Sequence, residues 1–177
     1  MDNAQIVDGL RSGDVHAFSR AWAAFRPRIY GFLLRMSRRP EVADDLLQET
    51  FVKLARAAPK LAPDTRLDAW LFTVARNAYR SHRRWEVLDL SRFVATEADA
   101  GEPSGASARL DVEVLERALL ALPEAERELL LLVGVEGLEQ DAVADMLKLR
   151  PDALRKRLSR ARAMFQQRLA KLEGAPR

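Results

Sequence analysis

Four side chains that can hydrogen-bond DNA cluster near the end of the chain: Arg155, Lys156, Ser159 and Arg160. Residues four apart lie on the same side of a helix, so a helix here would present all four together. Arginine and lysine pair with guanine edges in the major groove or with phosphates, and serine hydrogen-bonds either one. The spacing therefore predicts a surface that reads duplex DNA.

The neighbouring residues predict a helix-turn-helix that would position this surface. A short helix near 139–147 leads to a turn at Leu149, and Pro151 suits the first position of the second helix. Apolar residues at helical spacing predict the buried sides of both helices: Leu138, Val143, Met146, Leu147, Leu154, Leu158, Ala161 and Phe165. A basic surface helix in an ordinary helical hairpin is the alternative.

A second basic face is predicted on a helix over 67–85. Apolar residues at helical spacing form its buried stripe: Leu67, Trp70, Leu71, Val74, Ala75 and Ala78. The outward residues are mostly cationic or amide: Thr73, Arg76, Asn77, Arg80, Arg83 and Arg84. With Tyr79 and Trp85 nearby, this face suits a nucleic-acid backbone with unstacked bases. A solvated basic face is the simpler explanation.

An acidic patch lies on another amphipathic segment, where Leu47, Phe51 and Leu54 point inward. Its exposed residues are Asp44, Asp45, Gln48 and Glu49. Carboxylates near a helix start are favoured by about 0.3–1 kcal/mol through the helix dipole, which accounts for the first two. Because the surrounding segment is otherwise basic, a docking surface for a basic partner is the alternative.

The composition excludes several kinds of site. The chain has no cysteine, which rules out a disulfide, a cysteine-ligated zinc and a thiol nucleophile. Neither His16 nor His82 has a carboxylate at ligand or general-base spacing, so we expect no catalytic residue, no metal site and no cofactor. No signal peptide or membrane span is expected, and the chain is predicted to be cytoplasmic and nucleoid-associated.

The chain is predicted to be all-α, with two helical domains. Domain bounds of 13–86 and 111–173 are expected, joined by a flexible acidic linker over 87–110 that is rich in Gly, Ser and Pro. About four helices are expected in the first domain, one of them bent or broken at Pro27. Residues 1–85 carry 15 Lys/Arg against 9 Asp/Glu, whereas 86–110 carry 2 against 5.

The chain resembles a bacterial RNA polymerase sigma factor of the sigma-70 family, in its extracytoplasmic-function (ECF) group. Four stretches between about residues 13 and 172 carry the resemblance: 28–33 (RIYGFL), 43–51 (ADDLLQETF), 68–78 (DAWLFTVARNA), and the region 4 residues Leu122, Pro123, Gly137, Leu138 and 158–162 (LSRAR). The order of the four is more specific than any one of them. The expected function is promoter-specific transcription initiation with core RNA polymerase.

The resemblance also implies roles for individual residues. Asp44, Asp45, Gln48 and Glu49 match the patch that docks on the β′ clamp helices. Asn77 matches the position that captures a flipped −10 base, with backbone contacts from Arg76, Arg80, Arg83 and Arg84 and a base pocket completed by the loop at 60–67. Arg155, Lys156, Ser159 and Arg160 match the −35 recognition helix. The implied partners are core polymerase (clamp helices and β flap), promoter DNA and an anti-sigma protein, without membrane insertion.

Three positions depart from the family pattern. Lys148 stands where family members often have Gly in the turn, Asp152 replaces a common Gly, and Leu67 replaces a frequent aromatic residue. An acid at position 152 would repel phosphate or accept from a cytosine amino group. A helix-turn-helix regulator that does not act through core polymerase is the alternative function, although the acidic patch has no role in it.

Overall fold

The structure is a computed structural model that describes residues 3–90 and 108–173. Within those two ranges the secondary structure is helical and contains no strand. The chain divides into two compact units, with the division between Asp99 and Ala100. The all-α class and the two-domain organisation are therefore confirmed. Most of the predicted linker, residues 91–107, lies outside the described residues.

The first unit is a four-helix arrangement in which α2, α3 and α4 pack on one another. The helices are α1 (Asn3–Arg11), α2 (Val15–Ser37), α3 (Pro40–Ala57), a 3₁₀ turn (Ala58–Lys60) and α4 (Leu67–Leu90). Aromatic pairs fill the space between them: the ring centroids of Trp22 and Phe51 are 4.6 Å apart, and those of Phe32 and Phe72 are 5.6 Å apart. This core holds the outer faces of α3 and α4 in place.

Helix α1 was not predicted, and the expected domain start at residue 13 leaves it out. Its apolar residues Ile6, Val7 and Leu10 are buried against the rest of the unit. The Asn3 side chain accepts from the Leu67 backbone N–H at 3.1 Å and donates to the Thr65 carbonyl at 2.8 Å. Helix α1 therefore secures the loop that leads into α4.

The expected break at Pro27 is wrong, because α2 is continuous from Val15 to Ser37. Pro27 is exposed, as is Ala23, whose carbonyl loses its helical N–H donor to the proline. Water can reach that carbonyl, which lowers the cost of keeping the helix unbroken.

The second unit is built on α8 (Pro151–Glu173), against which α5 (Ala108–Leu120), α6 (Glu124–Leu130) and α7 (Gln140–Leu147) pack. A π-helical turn, Leu131–Val135, extends α6, so helix continues through the range predicted for it. The buried Arg127 donates from Nη1 to the Leu120 carbonyl at 3.0 Å. A cation at this point stabilises the C-terminal end of α5.

The turn between α7 and α8 forces Lys148 into the left-handed region, at φ 54° and ψ 44°. Its N–H donates to the Asp145 carbonyl at 3.1 Å, and the Leu149 N–H donates to the Ala144 carbonyl at 2.9 Å. This pair of hydrogen bonds is a Schellman motif, in which glycine is the usual residue at the left-handed position.

We expect Lys148→Gly to stabilise the second unit by about 0.5–1 kcal/mol. Removing Cβ relieves a left-handed strain of about 1–2 kcal/mol, and the greater freedom of glycine in the unfolded chain offsets part of that gain. Urea unfolding followed by far-UV circular dichroism measures the change. Lys148→Ala is the matched control, since it keeps Cβ, and equal stability of the two variants would contradict the explanation.

Candidate nucleic-acid interface

The basic face of α8 is exposed to solvent, as the spacing of its residues predicted. All four predicted DNA-contacting residues are exposed: Arg155, Lys156, Ser159 and Arg160. Leu154, Leu158 and Ala161 are buried on the opposite side. Phe165 is only half-buried, because it lies further along the helix. The burial pattern fixes the rotation of α8, so its basic side faces outward.

A groove of about 450 Å³ runs along this face where α7 begins beside α8. Gln140 of α7 lines it together with Arg155, Ser159 and Arg162 of α8. The Arg155 guanidinium also contacts the carboxylate of Asp152 one turn earlier. Two helices thus contribute hydrogen-bonding side chains to one concave basic surface, which suits a DNA backbone and groove edge.

The α4 face is narrower than predicted. Asn77, Arg80, Arg83 and Arg84 are exposed, but Arg76 is 6% exposed and lies in the core. Because α4 packs against both α2 and α3, its buried side extends beyond the predicted stripe. The prediction that Arg76 lies on the exposed face of α4 is wrong for this reason.

The aromatic residues of α4 fall into separate environments. Tyr79 is buried, and its hydroxyl donates to the Met36 carbonyl at 3.0 Å, so it is not available to a base. Trp70 is half-buried. Trp85 is 69% exposed near the arginines at the end of the face. Among these three rings, Trp85 is the one whose surface is open to an unstacked base.

The Glu86 carboxylate on α4 forms ion pairs with basic side chains near the start of α3. Its carboxylate lies 2.9 Å from Nη1 of Arg39 and 3.4 Å from Nη1 of Arg83. His82 Nε2 lies 3.2 Å from the same carboxylate, so the expectation that neither histidine has a carboxylate partner is wrong. His82 Nε2 nevertheless makes no hydrogen bond to the Glu86 carboxylate. Glu86 thus links α4 to the start of α3.

The acidic patch occupies the outer side of α3. Asp44, Asp45, Gln48 and Glu49 are all exposed there. Lys53 Nζ lies 2.6 Å from the Glu49 carboxylate. Leu47, Phe51 and Leu54 are buried beneath the patch, as predicted. The patch is therefore a helical surface that carries three carboxylates and one amide.

No group of three or more histidine, aspartate or glutamate side chains is placed to hold a metal ion anywhere in residues 3–90 and 108–173. Over the same ranges, no helix is long and apolar enough to cross a membrane.

Comparison with known proteins places both units in one family. The family model of sigma-70 region 2 matches residues 21–86, and that of sigma-70 region 4 matches residues 113–165. The chain is 32% identical to the RNA polymerase sigma factor CarQ of Myxococcus xanthus, over 94% of this chain and 97% of that protein. It is 34% identical to the ECF RNA polymerase sigma factor EcfG of Rhodopseudomonas palustris, over 77% and 76%.

Two solved structures are similar over most of their length. CnrH, in complex with the cytosolic domain of CnrY, has a TM-score of 0.71 and 26% identity, and covers 96% of this chain and 97% of CnrH. The sigma factor RpoE of Bartonella quintana, in complex with the anti-sigma factor NepR, has a TM-score of 0.77 and 27% identity, over 88% and 98%.

Proposed function

Because the chain belongs to the sigma-70 family of RNA polymerase sigma factors, in its extracytoplasmic-function group, we propose a role for each of its three charged surfaces. The protein binds core RNA polymerase and directs transcription initiation at promoters with −35 and −10 elements. We assign region 2 to residues 13–86, the linker to 87–110 and region 4 to 111–173. Helix α1, which supports the loop before α4, precedes region 2 and packs in the same unit.

The acidic patch on α3 docks on the clamp helices of the β′ subunit. The observation that carries the proposal is that Asp44, Asp45 and Glu49 are exposed together on α3, in the same unit as the basic face of α4. Opposite charges within one unit suit two different partners, a basic protein surface and DNA. A regulator that binds only DNA has no use for the acidic surface.

The exposed face of α4 captures the melted −10 element. Asn77 hydrogen-bonds a flipped base of the non-template strand, while Arg80, Arg83 and Arg84 neutralise the backbone. Arg76 is buried and is not among the residues that contact the backbone. Trp85 adds a stacking surface at the end of the face. Flipping a base out of the stack costs a few kcal/mol, and contacts between the base and its pocket must offset that free energy.

We expect Asn77→Ala to weaken binding to forked −10 DNA by about 1–3 kcal/mol, or roughly 5- to 150-fold, because the amide contacts a base edge. Binding to a fully duplex −35 fragment should be unchanged. Fluorescence anisotropy of holoenzyme with each DNA measures both affinities. Gln167→Ala, an exposed amide on α8, is the control. Equal losses on the two DNAs would contradict a base-capturing role.

The outer face of α8 reads the −35 element as duplex DNA. Arg155, Lys156, Ser159 and Arg160 enter the major groove, and Gln140 and Arg162 contact the flanking backbone along the groove between α7 and α8. No covalent chemistry is required of any of these residues, since α8 binds the −35 duplex and α4 binds the unpaired −10 strand.

An anti-sigma protein is proposed as a further partner. RpoE, which is similar in structure to this chain, is solved in complex with the anti-sigma factor NepR. Because core polymerase and promoter DNA are its other partners, we place the protein in the cytoplasm, associated with the nucleoid.

Run-off transcription with purified core polymerase tests the function. Promoter-dependent transcripts are expected only when this protein is added. A regulator acting without core polymerase would bind DNA but would not co-purify with core and would yield no such transcript. That alternative is not favoured, since the region 2 model matches most of the first unit.

A further inference from the structure

An aspartate stands at the start of α8, one turn before the basic surface of that helix. Asp152 is the second residue of the helix, and its carboxylate contacts the Arg155 guanidinium one turn later. Both side chains are mainly exposed, at 68% and 65%. The other charged residues on α8 are basic until Glu173 at its end.

The helix dipole does not explain this arrangement fully. An acid in the first turn of a helix is stabilised whether or not an arginine lies nearby. On a surface that meets DNA, however, a carboxylate repels phosphates and lowers affinity for every sequence. Asp152 therefore opposes DNA binding in general, and its contact with Arg155 indicates what it contributes in return.

The geometry of a guanidinium permits two partners at once. Arginine has five N–H donors in a rigid planar fork, and a carboxylate that accepts at one edge leaves the other edge free. A free edge with two parallel donors matches the O6 and N7 acceptors of guanine. With Asp152 holding one edge, the other edge of Arg155 has a restricted set of orientations.

We propose that Asp152 is a positioning residue that sets −35 specificity by orienting Arg155 toward a guanine. This inference rests on the proposed function of α8 as the −35 reader. Without the carboxylate, the Arg155 guanidinium is free to turn toward the phosphates. Through its contact with Arg155, Asp152 thus lowers affinity for non-specific DNA and raises discrimination between guanine and the other bases.

The test compares holoenzymes on a promoter library randomised across the −35 element, with a constant spacer and −10 element. Bound DNA is sequenced, and affinity for non-promoter duplex is measured in parallel. The set contains the unmodified protein, Arg155→Ala, Asp152→Ala and the double variant. Arg155→Ala identifies the base pair that Arg155 reads, as the position where preference is lost.

Asp152→Ala should lower the guanine preference at that same base pair by up to about five-fold, the upper end of the range for an exposed ion pair. It should also raise affinity for non-promoter duplex. The double variant should show the same base preference as Arg155→Ala alone, because Asp152 acts through Arg155. Asp152→Asn, which keeps the size and the preference for a helix start, should also lower the guanine preference.

Asp145→Ala is the charge control, since it removes an exposed carboxylate from α7 in the same unit. Its base preferences should be unchanged. A uniform gain in affinity for Asp152→Ala with unaltered preferences would overturn the inference, as would a loss of preference at a base pair that Arg155→Ala leaves intact. If the unmodified protein shows no preference at any −35 position, the proposed function of α8 fails as well.

Discussion

Reversing two charges on α3, with Asp45→Arg and Glu49→Arg together, should abolish promoter-dependent transcription, with a fall of more than about 100-fold. The two carboxylates lie one turn apart on an exposed helical face. Placing cations against a basic partner surface costs several kcal/mol, and about 1.4 kcal/mol corresponds to each tenfold loss of affinity. Co-purification with core polymerase measures the binding step directly.

The matched control for this variant is Asp141→Arg with Asp145→Arg. These carboxylates have the same spacing and are also exposed, but they lie on α7 in the other unit. The control protein should still co-purify with core. Retention of core binding by the α3 variant would show that the acidic patch is an ordinary solvated surface with a helix-dipole role.

The second large effect is on stability, where Phe72→Ala should cost about 3–5 kcal/mol, the usual range for removing a buried aromatic side chain. Phe72 is fully buried, and its ring meets Phe32 edge to face at an interplanar angle of 83°. The Arg28 guanidinium carbon lies 5.4 Å from the centre of the same ring. These contacts join α2 to α4, so their loss affects the whole first unit.

Tryptophan fluorescence can measure the loss of stability in the first unit separately from unfolding of the second unit. All three lie in the first unit, so tryptophan fluorescence follows that unit alone, whereas far-UV circular dichroism follows both. Phe72→Ala should shift the urea midpoint seen by fluorescence. Phe165→Ala, at a half-buried ring in the other unit, should leave that midpoint unchanged. A fluorescence midpoint unaltered by Phe72→Ala would contradict the packing account.

Local periodicity predicted most of the fold. The start of α8 at Pro151 and the burial of Leu154, Leu158 and Ala161 followed from proline chemistry and a 3.6-residue repeat. Helix α1 was missed although Ile6, Val7 and Leu10 carry the same signal over little more than one turn. A helix that short gains its stability from tertiary contacts, here through Asn3 and the buried apolar residues.

The exposure of a site residue could be predicted where the amphipathic pattern of its own helix determines it. Asn77 and Lys156 are exposed because their own helices are amphipathic. Arg76 and Tyr79 were misplaced because the number of helices that pack against α4 is a tertiary property. The Asp152–Arg155 contact was not predicted either, although both residues were noted. Its signal was an acid three residues before an arginine, a spacing at which helical side chains meet.

The most direct test of the account is run-off transcription with purified core polymerase on a library of promoters randomised in both elements. Transcripts should depend on this protein and share two sequence elements at a constant separation. Asn77→Ala should relax preference in the downstream element only, and Arg155→Ala in the upstream element only. Transcription that ignores added protein, or a single shared element altered by both substitutions, would contradict the two-surface reading of the promoter.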